Sequence, residues 1–248
     1  FISRNAEKAD YQKKSTSPDQ TQLEMIRGIF LPLEDFRILK YECEKVDIEF
    51  LSSPFDIKSI DFLEKLGVKR LKIPSGEITN YPYLEHIGKK NMPLILSTGM
   101  SNLSEIKEAI NIITNSGLKR ENITVLQCNT EYPSPIEDAN LNVMHTLKKE
   151  LAVKIGYSDH TSGSESAIAS VAIGATIIEK HFTLDKSAQG PDHKASLDPN
   201  ELKEFVDIIR NTENSLGSFS KIPTQSESKN IPIARKSIVA KKQINKGE

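Results

Sequence analysis

Cysteine is scarce. Cys43 and Cys128 are the two in 248 residues, and they lie too far apart in sequence to form a redox or zinc motif, so a reduced, cytoplasmic setting is the expectation. An excess of charge is missing too: 33 Lys and Arg against 34 Asp and Glu leave a formal charge of -1. No global field then draws the chain to nucleic acid or to an anionic membrane surface, and neither is expected as a partner. Any anionic ligand has to be held by local cations. No apolar run approaches the ~20 residues of a membrane span, and no signal-peptide pattern opens the chain. A Gly-x-Gly-x-x-Gly loop follows none of the strand candidates, which argues against an open sheet that binds a dinucleotide. Gly156-Tyr-Ser-Asp-His160 lacks the second glycine of a nucleophile elbow, which argues against a serine hydrolase.

What is present is the composition of a globular protein, with 37% hydrophobic and 27% charged residues, enough to bury a substantial core. From about residue 46 a rhythm repeats: a short β-branched run, a polar cluster, then a helical pattern. The predicted strands are Val46-Asp-Ile-Glu-Phe-Leu51, Arg70-Leu-Lys-Ile73, Pro93-Leu-Ile-Leu96, Ile123-Thr-Val-Leu-Gln127, Ala152-Val-Lys-Ile155 and Thr176-Ile-Ile-Glu-Lys180. Their length and flanking turn residues favour strands over helix fragments. Asn102-Leu-Ser-Glu105 and Asp198-Pro-Asn-Glu201 read as capping boxes that open helices, and helical patterns also fill Ile57 to Gly67 and Ser164 to Gly174.

Repeated β-then-α units imply a parallel sheet with right-handed crossovers. Six units are visible where a closed barrel has eight. Two architectures compete: an open doubly wound sheet, or an α/β barrel whose first units precede Phe1. Residues 1–45 would then be the loop and helix after an earlier strand, with Leu31, Leu33, Phe36, Ile38 and Leu39 making apolar contacts. The main domain is expected over residues 1–217, a polar linker over 218–230, and the first strand of another small domain over 231–248.

In parallel α/β folds, function collects at the carboxyl ends of the strands. Here those ends carry Ser52-Ser-Pro54, Lys72-Ile-Pro-Ser-Gly-Glu77, Ser97-Thr-Gly-Met100, Gln127-Cys-Asn-Thr-Glu-Tyr132, Ser158-Asp-His160 and His181-Phe-Thr-Leu-Asp185. Hydroxyls and a lysine around a cavity cradle a phosphate well, because they donate hydrogen bonds without adding negative charge. Lys72, Ser75, Ser97 and Ser158 are the candidates; the plainer reading is a strand-end lysine in solvent and turn-forming serines. His160 and His181 end adjacent predicted strands, so their imidazoles can converge on one divalent ion, or they are hydrogen-bonded loop histidines. Asp159 and Glu179 are candidate partners for them, and strand alternation turns Glu179 to the side of His181. Glu77, Glu131 and Asp192 are candidate acids or substrate anchors, or else solvated loop carboxylates.

Taken together, Lys72-Ile-Pro-Ser-Gly-Glu77, Ser97-Thr-Gly-Met100, the Cys-Asn-Thr-Glu-Tyr-Pro run at 128–133, Gly156-Tyr-Ser-Asp-His160, Glu179-Lys-His-Phe-Thr183 and Gly190-Pro-Asp-His-Lys-Ala-Ser196 resemble the N-acetylneuraminate synthase family, including the legionaminic and pseudaminic acid synthases. The match runs in order over about residues 45–240. The resemblance implies a (β/α)8 barrel of the triosephosphate-isomerase type, lacking its first units here, followed by a small antifreeze-like domain that begins within 231–248. It implies a domain-swapped homodimer. It also implies condensation of phosphoenolpyruvate with an N-acyl mannosamine-type sugar to a nonulosonic, sialic-type acid and phosphate.

By the same resemblance, His160 and His181 are ligands of a divalent ion, Mn2+ or else Mg2+ or Co2+, and act with Lys72 as the catalytic set. Lys72, Ser75, Ser97, Ser158 and Ser53 are phosphoenolpyruvate binders, joined by Asn129 or Thr130, between which the motif does not choose. Glu77, Tyr132 and Asp192 contact the sugar. The family's early catalytic glutamate and its substrate-facing arginine would fall outside residues 1–248, so this chain alone is expected to be inactive. The competing readings are a non-catalytic sugar-phosphate-binding or oligomerisation module on the same barrel, and a metal-dependent aldolase.

Overall fold

Five short polar-ended runs pair as a parallel sheet: β1 Leu71–Ile73, β2 Leu94–Ser97, β3 Ile123–Cys128, β4 Lys154–Asp159 and β5 Ile178–Lys180, in that spatial order. The structure, a computed structural model, describes residues 6–17 and 19–248. Each crossover carries a helix, as a parallel connection requires. In chain order the helices are α1 Asp10–Ser15, α2 Gln22–Ile29, α3 Leu33–Lys45, α4 Ile57–Leu66, α5 Tyr81–Lys89, α6 Leu103–Asn115, α7 Val143–Leu151, α8 Glu165–Ala172 and α9 Pro199–Leu216.

Local chemistry explains the helix ends. Asn102 Oδ1 accepts from the backbone N–H groups of Ser104 and Glu105, while Glu105 accepts from the Asn102 N–H at 2.8 Å, so α6 starts on a reciprocal cap. Asp198 and Glu201 exchange the same pair of bonds before α9. Asp56 caps α4 through the Ser59 N–H at 2.7 Å, and Gly67 ends it at φ 78°, a left-handed conformation that favours glycine.

The strands alternate between two environments. Leu71, Ile73, Leu94, Leu96, Ile123, Val125, Ile155 and Tyr157 face the helices and form one core with Ile60, Leu63, Leu84, Ile106, Ile110, Ile113 and Leu147. A smaller cluster of Ala167, Val171, Leu197, Phe205 and Ile209 packs α8 and α9 behind β5. The intervening residues, among them Lys72, Ser97, Cys128, Ser158 and Glu179, face the other way. A cavity between α8, α9 and β5 is lined by Val171, Ile178, Phe205 and Arg210, on the helix side.

The sheet is strongly curled. Lys72 sits on β1 and Glu179 on β5, the two edges, yet their charged atoms are 3.1 Å apart. Five flat strands at about 4.8 Å spacing would separate those edges by about 19 Å, farther than a lysine and a glutamate side chain reach together. The architecture is therefore a parallel α/β half-barrel with the helices outside.

Several expectations need correction. Val46–Leu51 is not a strand: Asp47 takes a left-handed φ of 55°, and the Ile48 N–H bonds back to the Cys43 carbonyl, so the chain is closing α3 instead of joining a ladder. The sheet thus has five strands where six were expected. Of the apolar side chains expected to pack between Leu31 and Leu39, Phe36 joins the core, edge-on to Phe50 and Phe62, while Leu31, Leu33, Ile38 and Leu39 are exposed. Residues 1–5, part of that same segment, lie outside the described residues.

The chain divides into two compact units, Phe1–Asn214 and Ser215–Glu248. The second holds the end of α9 and two single-turn helices, α10 Gln225–Ser228 and α11 Ile231–Ala234. The strand expected in 231–248 is absent among the described residues; Pro232, which has no N–H to give a ladder, stands in the first turn of α11 instead. No helix among the described residues is long and apolar enough to cross a membrane.

Candidate active site

Curvature gathers the strand ends. Lys72 Nζ meets one carboxylate oxygen of Glu179, and the Ser158 hydroxyl donates to the other at 2.7 Å. Ser158 Oγ is also 3.2 Å from His160 Nε2. On the neighbouring loops the Gly99 N–H donates to Ser75 Oγ at 2.9 Å and lies 3.1 Å from Cys128 Sγ. A side chain at Gly99 would stand 2.5 Å from the Thr130 methyl and 2.9 Å from Ser75 Oγ, so glycine is what lets these two loops touch. The Ser97 hydroxyl is buried and has no hydrogen-bond partner among the described residues, which leaves a donor available.

His160 and His181 sit one residue beyond the ends of β4 and β5. Their rings stand nearly perpendicular, with centroids 5.2 Å apart, and the Tyr132 ring is 4.1 Å from one and 5.1 Å from the other. Tyr11 stacks obliquely on Tyr132 at 5.1 Å. His160 Nδ1 hydrogen-bonds the Asn129 carbonyl, an oxygen that only accepts, so Nδ1 carries the proton and Nε2 bears a lone pair. Burial, the leading cause, lowers the His160 pKa to about 4, so the ring is neutral near pH 7.

The single Ser158 proton then faces two acceptors, Glu179 and His160 Nε2, and satisfies one of them. Asp192 Oδ2 lies 3.8 Å from His181 Nδ1, and its Oδ1 is buried without a partner among the described residues. Burial raises the Asp192 pKa, against the pull of His181 and His193. Burial also pushes the Tyr132 phenol up, and that of Tyr11 to about 12.

Among the described residues, no group of three or more His, Cys, Asp or Glu side chains forms a ready metal cage. The donors present do suit a divalent ion that takes its remaining ligands from water or substrate: two adjacent imidazoles, one with an unclaimed lone pair, beside a partnerless carboxylate oxygen.

Not every candidate joins this group. Ser53 lines an apolar groove with Phe30, Phe36 and Phe55. Glu77 accepts from Asn80 Nδ2 at 2.6 Å in the turn after β1. The Asn129 side chain bonds the Glu131 N–H at 2.7 Å within its own loop, whereas Thr130 abuts Gly99. Asp159 turns to the helix side, where it pairs with Lys180, so it is no direct partner of the imidazoles; alternation along β4 puts it opposite His160. Sequence reasoning gave no role to Cys128, which sits between the serine loops, or to Tyr11. For Cys128 a period of two along β3 was the available signal; for Tyr11 there was none.

A curled parallel sheet with a lysine, several hydroxyls and two imidazoles gathered at its carboxyl ends defines a parallel α/β half-barrel with a polar cluster on one face. The sequence model of the NeuB family matches residues 1–221, and the chain belongs to that family. It is 53% identical to an N,N'-diacetyllegionaminic acid synthase of Campylobacter jejuni over 100% of this chain and 74% of the relative. It is 45% identical to the enzyme of that name from Legionella pneumophila, over 100% of this chain and 70% of the relative. Among solved structures, an N-acetylneuraminic acid synthetase of Leptospira borgpetersenii, crystallised with citrate, superposes with a TM-score of 0.80 at 33% identity, covering 90% of this chain and 77% of that one.

Proposed function

We propose that the protein condenses phosphoenolpyruvate with an N-acyl mannosamine-type sugar, yielding a nonulosonic acid and inorganic phosphate. The observation that carries this reading is the contact chain from Lys72 through Glu179 and Ser158 to His160 and His181, which joins an anion cradle to an imidazole pair on one sheet face. Family membership and two N,N'-diacetyllegionaminic acid synthases among the relatives support it, and favour a diacetamido sugar.

Lys72, with the hydroxyls of Ser75, Ser97 and Ser158, holds the charged groups of phosphoenolpyruvate. The 129–130 loop supplies a further contact, through Asn129 or Thr130. Glu77, Tyr132 and Asp192 orient the sugar, the Tyr132 ring offering a flat apolar wall beside both histidines. His160 and His181 would hold a divalent ion, Mn2+, Mg2+ or Co2+. When bound, such an ion supplies Lewis-acid polarisation of an aldehyde oxygen.

Carbon 3 of the enol ester bonds to the aldehyde carbon of the open-chain sugar, and water adds at carbon 2. The carbon 2 to oxygen bond of that adduct then breaks, and phosphate leaves with the electron pair. Of the water's two protons, one ends on the former aldehyde oxygen and one departs with phosphate. Holding both substrates at near-attack distance lowers the barrier by several kcal/mol, on the order of what pre-paid association entropy provides.

The test is phosphate release by the full-length protein with phosphoenolpyruvate, Mn2+ and a panel of N-acyl mannosamine-type sugars. Release that needs all three, with the bridging oxygen leaving on phosphate, supports the reading. No release with any sugar in the panel overturns it.

A further inference from the structure

We propose that Asp159 and Lys180, which contact neither histidine ring, are positioning residues for the reaction proposed above, on which this inference rests. They are the last registered pair of the β4–β5 ladder. Each immediately precedes a histidine, so alternation puts the pair on the helix side while His160 and His181 emerge on the other.

Lys180 Nζ lies 2.8 Å from Asp159 Oδ2, and the two side chains are 3% and 0% exposed. The ammonium also donates to the carbonyls of Thr161 and Gly163, which uses all three of its donors. Asp159 Oδ1 accepts from both the N–H and the hydroxyl of Thr161, at 2.9 and 2.7 Å. The Phe205 ring lies 6.0 Å from the ammonium. Two charges removed from water this completely persist only when every hydrogen-bonding group is met, and here the network is closed.

Other bonds fix each histidine to its own loop. The His160 carbonyl accepts from the Ser134 N–H, its Nδ1 bonds Asn129, and the His181 carbonyl accepts from the Leu197 N–H. None of these joins one histidine strand to the other. The Ser158–Glu179 bond does so one rung earlier on the histidine face, and the ion pair does so from the helix side at the last rung before the chains leave the ladder, where its grip on Thr161 and Gly163 sets the path on which His160 exits. The last rung before the two imidazoles is thus held from behind the sheet. Ligand geometry at a shared ion tolerates only about 0.2 Å, and a misplacement of about 1 Å at a reacting centre costs roughly 100-fold in rate.

The test uses the full-length protein and the double variant Asp159→Leu/Lys180→Met, which removes both charges and so leaves neither buried alone. In metal-free protein with isotopically labelled histidine, the nuclear Overhauser contact between the His160 and His181 rings is expected to vanish while cooperative unfolding remains. With Mn2+ alone, the dissociation constant read by electron paramagnetic resonance is expected to rise about tenfold or more. In turnover, kcat is expected to fall roughly 100-fold, with a smaller rise in KM for phosphoenolpyruvate, because Lys72, Ser75 and Ser97 stand on or beyond β1 and β2 and only Ser158 shares a strand with the altered pair.

A double variant that keeps the ring contact and the Mn2+ affinity overturns the inference. If that variant does not fold, Thr161→Val decides: it leaves both charges and removes one hydrogen bond from Asp159, and Mn2+ affinity equal to wild type then counts against the proposal. Failure of the wild-type protein to turn over sinks the assigned reaction, while the ring-contact and Mn2+ measurements still decide the positioning role.

Discussion

Lys72 and Glu179, on opposite edges of a five-stranded sheet, meet at 3.1 Å. The contact shows how far the sheet has rolled up, and it places the lysine beside a carboxylate before any anion arrives. On the reading proposed above, an anion would compete with Glu179 for Lys72, and Ser158, bonded to the other oxygen of Glu179, would share in that exchange.

Replacing Lys72 with methionine is expected to lower kcat/KM for phosphoenolpyruvate roughly 10- to 100-fold, the equivalent of about 1.5–3 kcal/mol for a charge-assisted hydrogen bond. Stability should change by less than about 1 kcal/mol, since the Glu179 partner is 34% exposed and water relieves it. Steady-state kinetics and urea unfolding of the same variant separate the two effects. An unchanged KM and kcat would remove Lys72 from the anion site.

Gly99→Ala probes the close approach of the two loops. The added methyl would press on Thr130, Ser75 and Cys128, all through side-chain atoms, so the loops can shift at a cost of about 1–3 kcal/mol. The expected result is a folded protein with a raised KM for phosphoenolpyruvate, measured beside a thermal melt. A wild-type KM would mean that the Ser75 loop does not touch this substrate.

The core and the helix caps differ in what they contribute. Leu96 is fully buried between the strands and the outer helices, and Leu96→Ala is expected to cost about 2–5 kcal/mol. Asn102→Ala removes only the cap of α6, and about 1 kcal/mol is expected. Urea denaturation ranks them, and the reverse order would contradict the packing described above.

Acid stability should show the cluster around Asp61. Hydrogen bonds from Lys90 and then His86 hold the Asp61 carboxyl at about 2, below its usual range. Because the folded-state value is depressed, the unfolded chain takes up a proton first as pH falls. The stabilisation is therefore complete above about pH 4 and is lost between about pH 4 and 2. Asp61→Asn should flatten that part of the curve, so unfolding midpoints at pH 6 and pH 3 should differ less in the variant than in wild type.

Much of the sheet was legible because β-branched runs bounded by turn residues have few other options: the stretches around Leu71, Leu94, Ile123, Ile155 and Ile178 all pair in one parallel sheet. Val46–Leu51 had the same texture and misled, because a strand needs a partner for its N–H groups, and the Ile48 N–H is already spent on closing α3. At the site, the neighbouring positions of His160 and His181 followed from the order of β4 and β5. The meeting of Lys72 with Glu179 did not, since it depends on curvature accumulated over five strands, which no local pattern encodes. Tyr11 was hidden too, because its contact with Tyr132 spans more than a hundred residues of sequence and leaves no local pattern.

The strict alternation along β4 and β5 also bears on how this protein can be altered. Neighbouring positions such as Asp159 and His160, or Lys180 and His181, answer to different demands, one buried on the helix side and one on the face where the proposed ligands would sit. A mutant library aimed at a different sugar can therefore be confined to Glu77, Tyr132, Asp192 and their loop neighbours, sparing the residues between them that face the helices. Such a library samples new specificity without drawing on the protein's small reserve of folding energy.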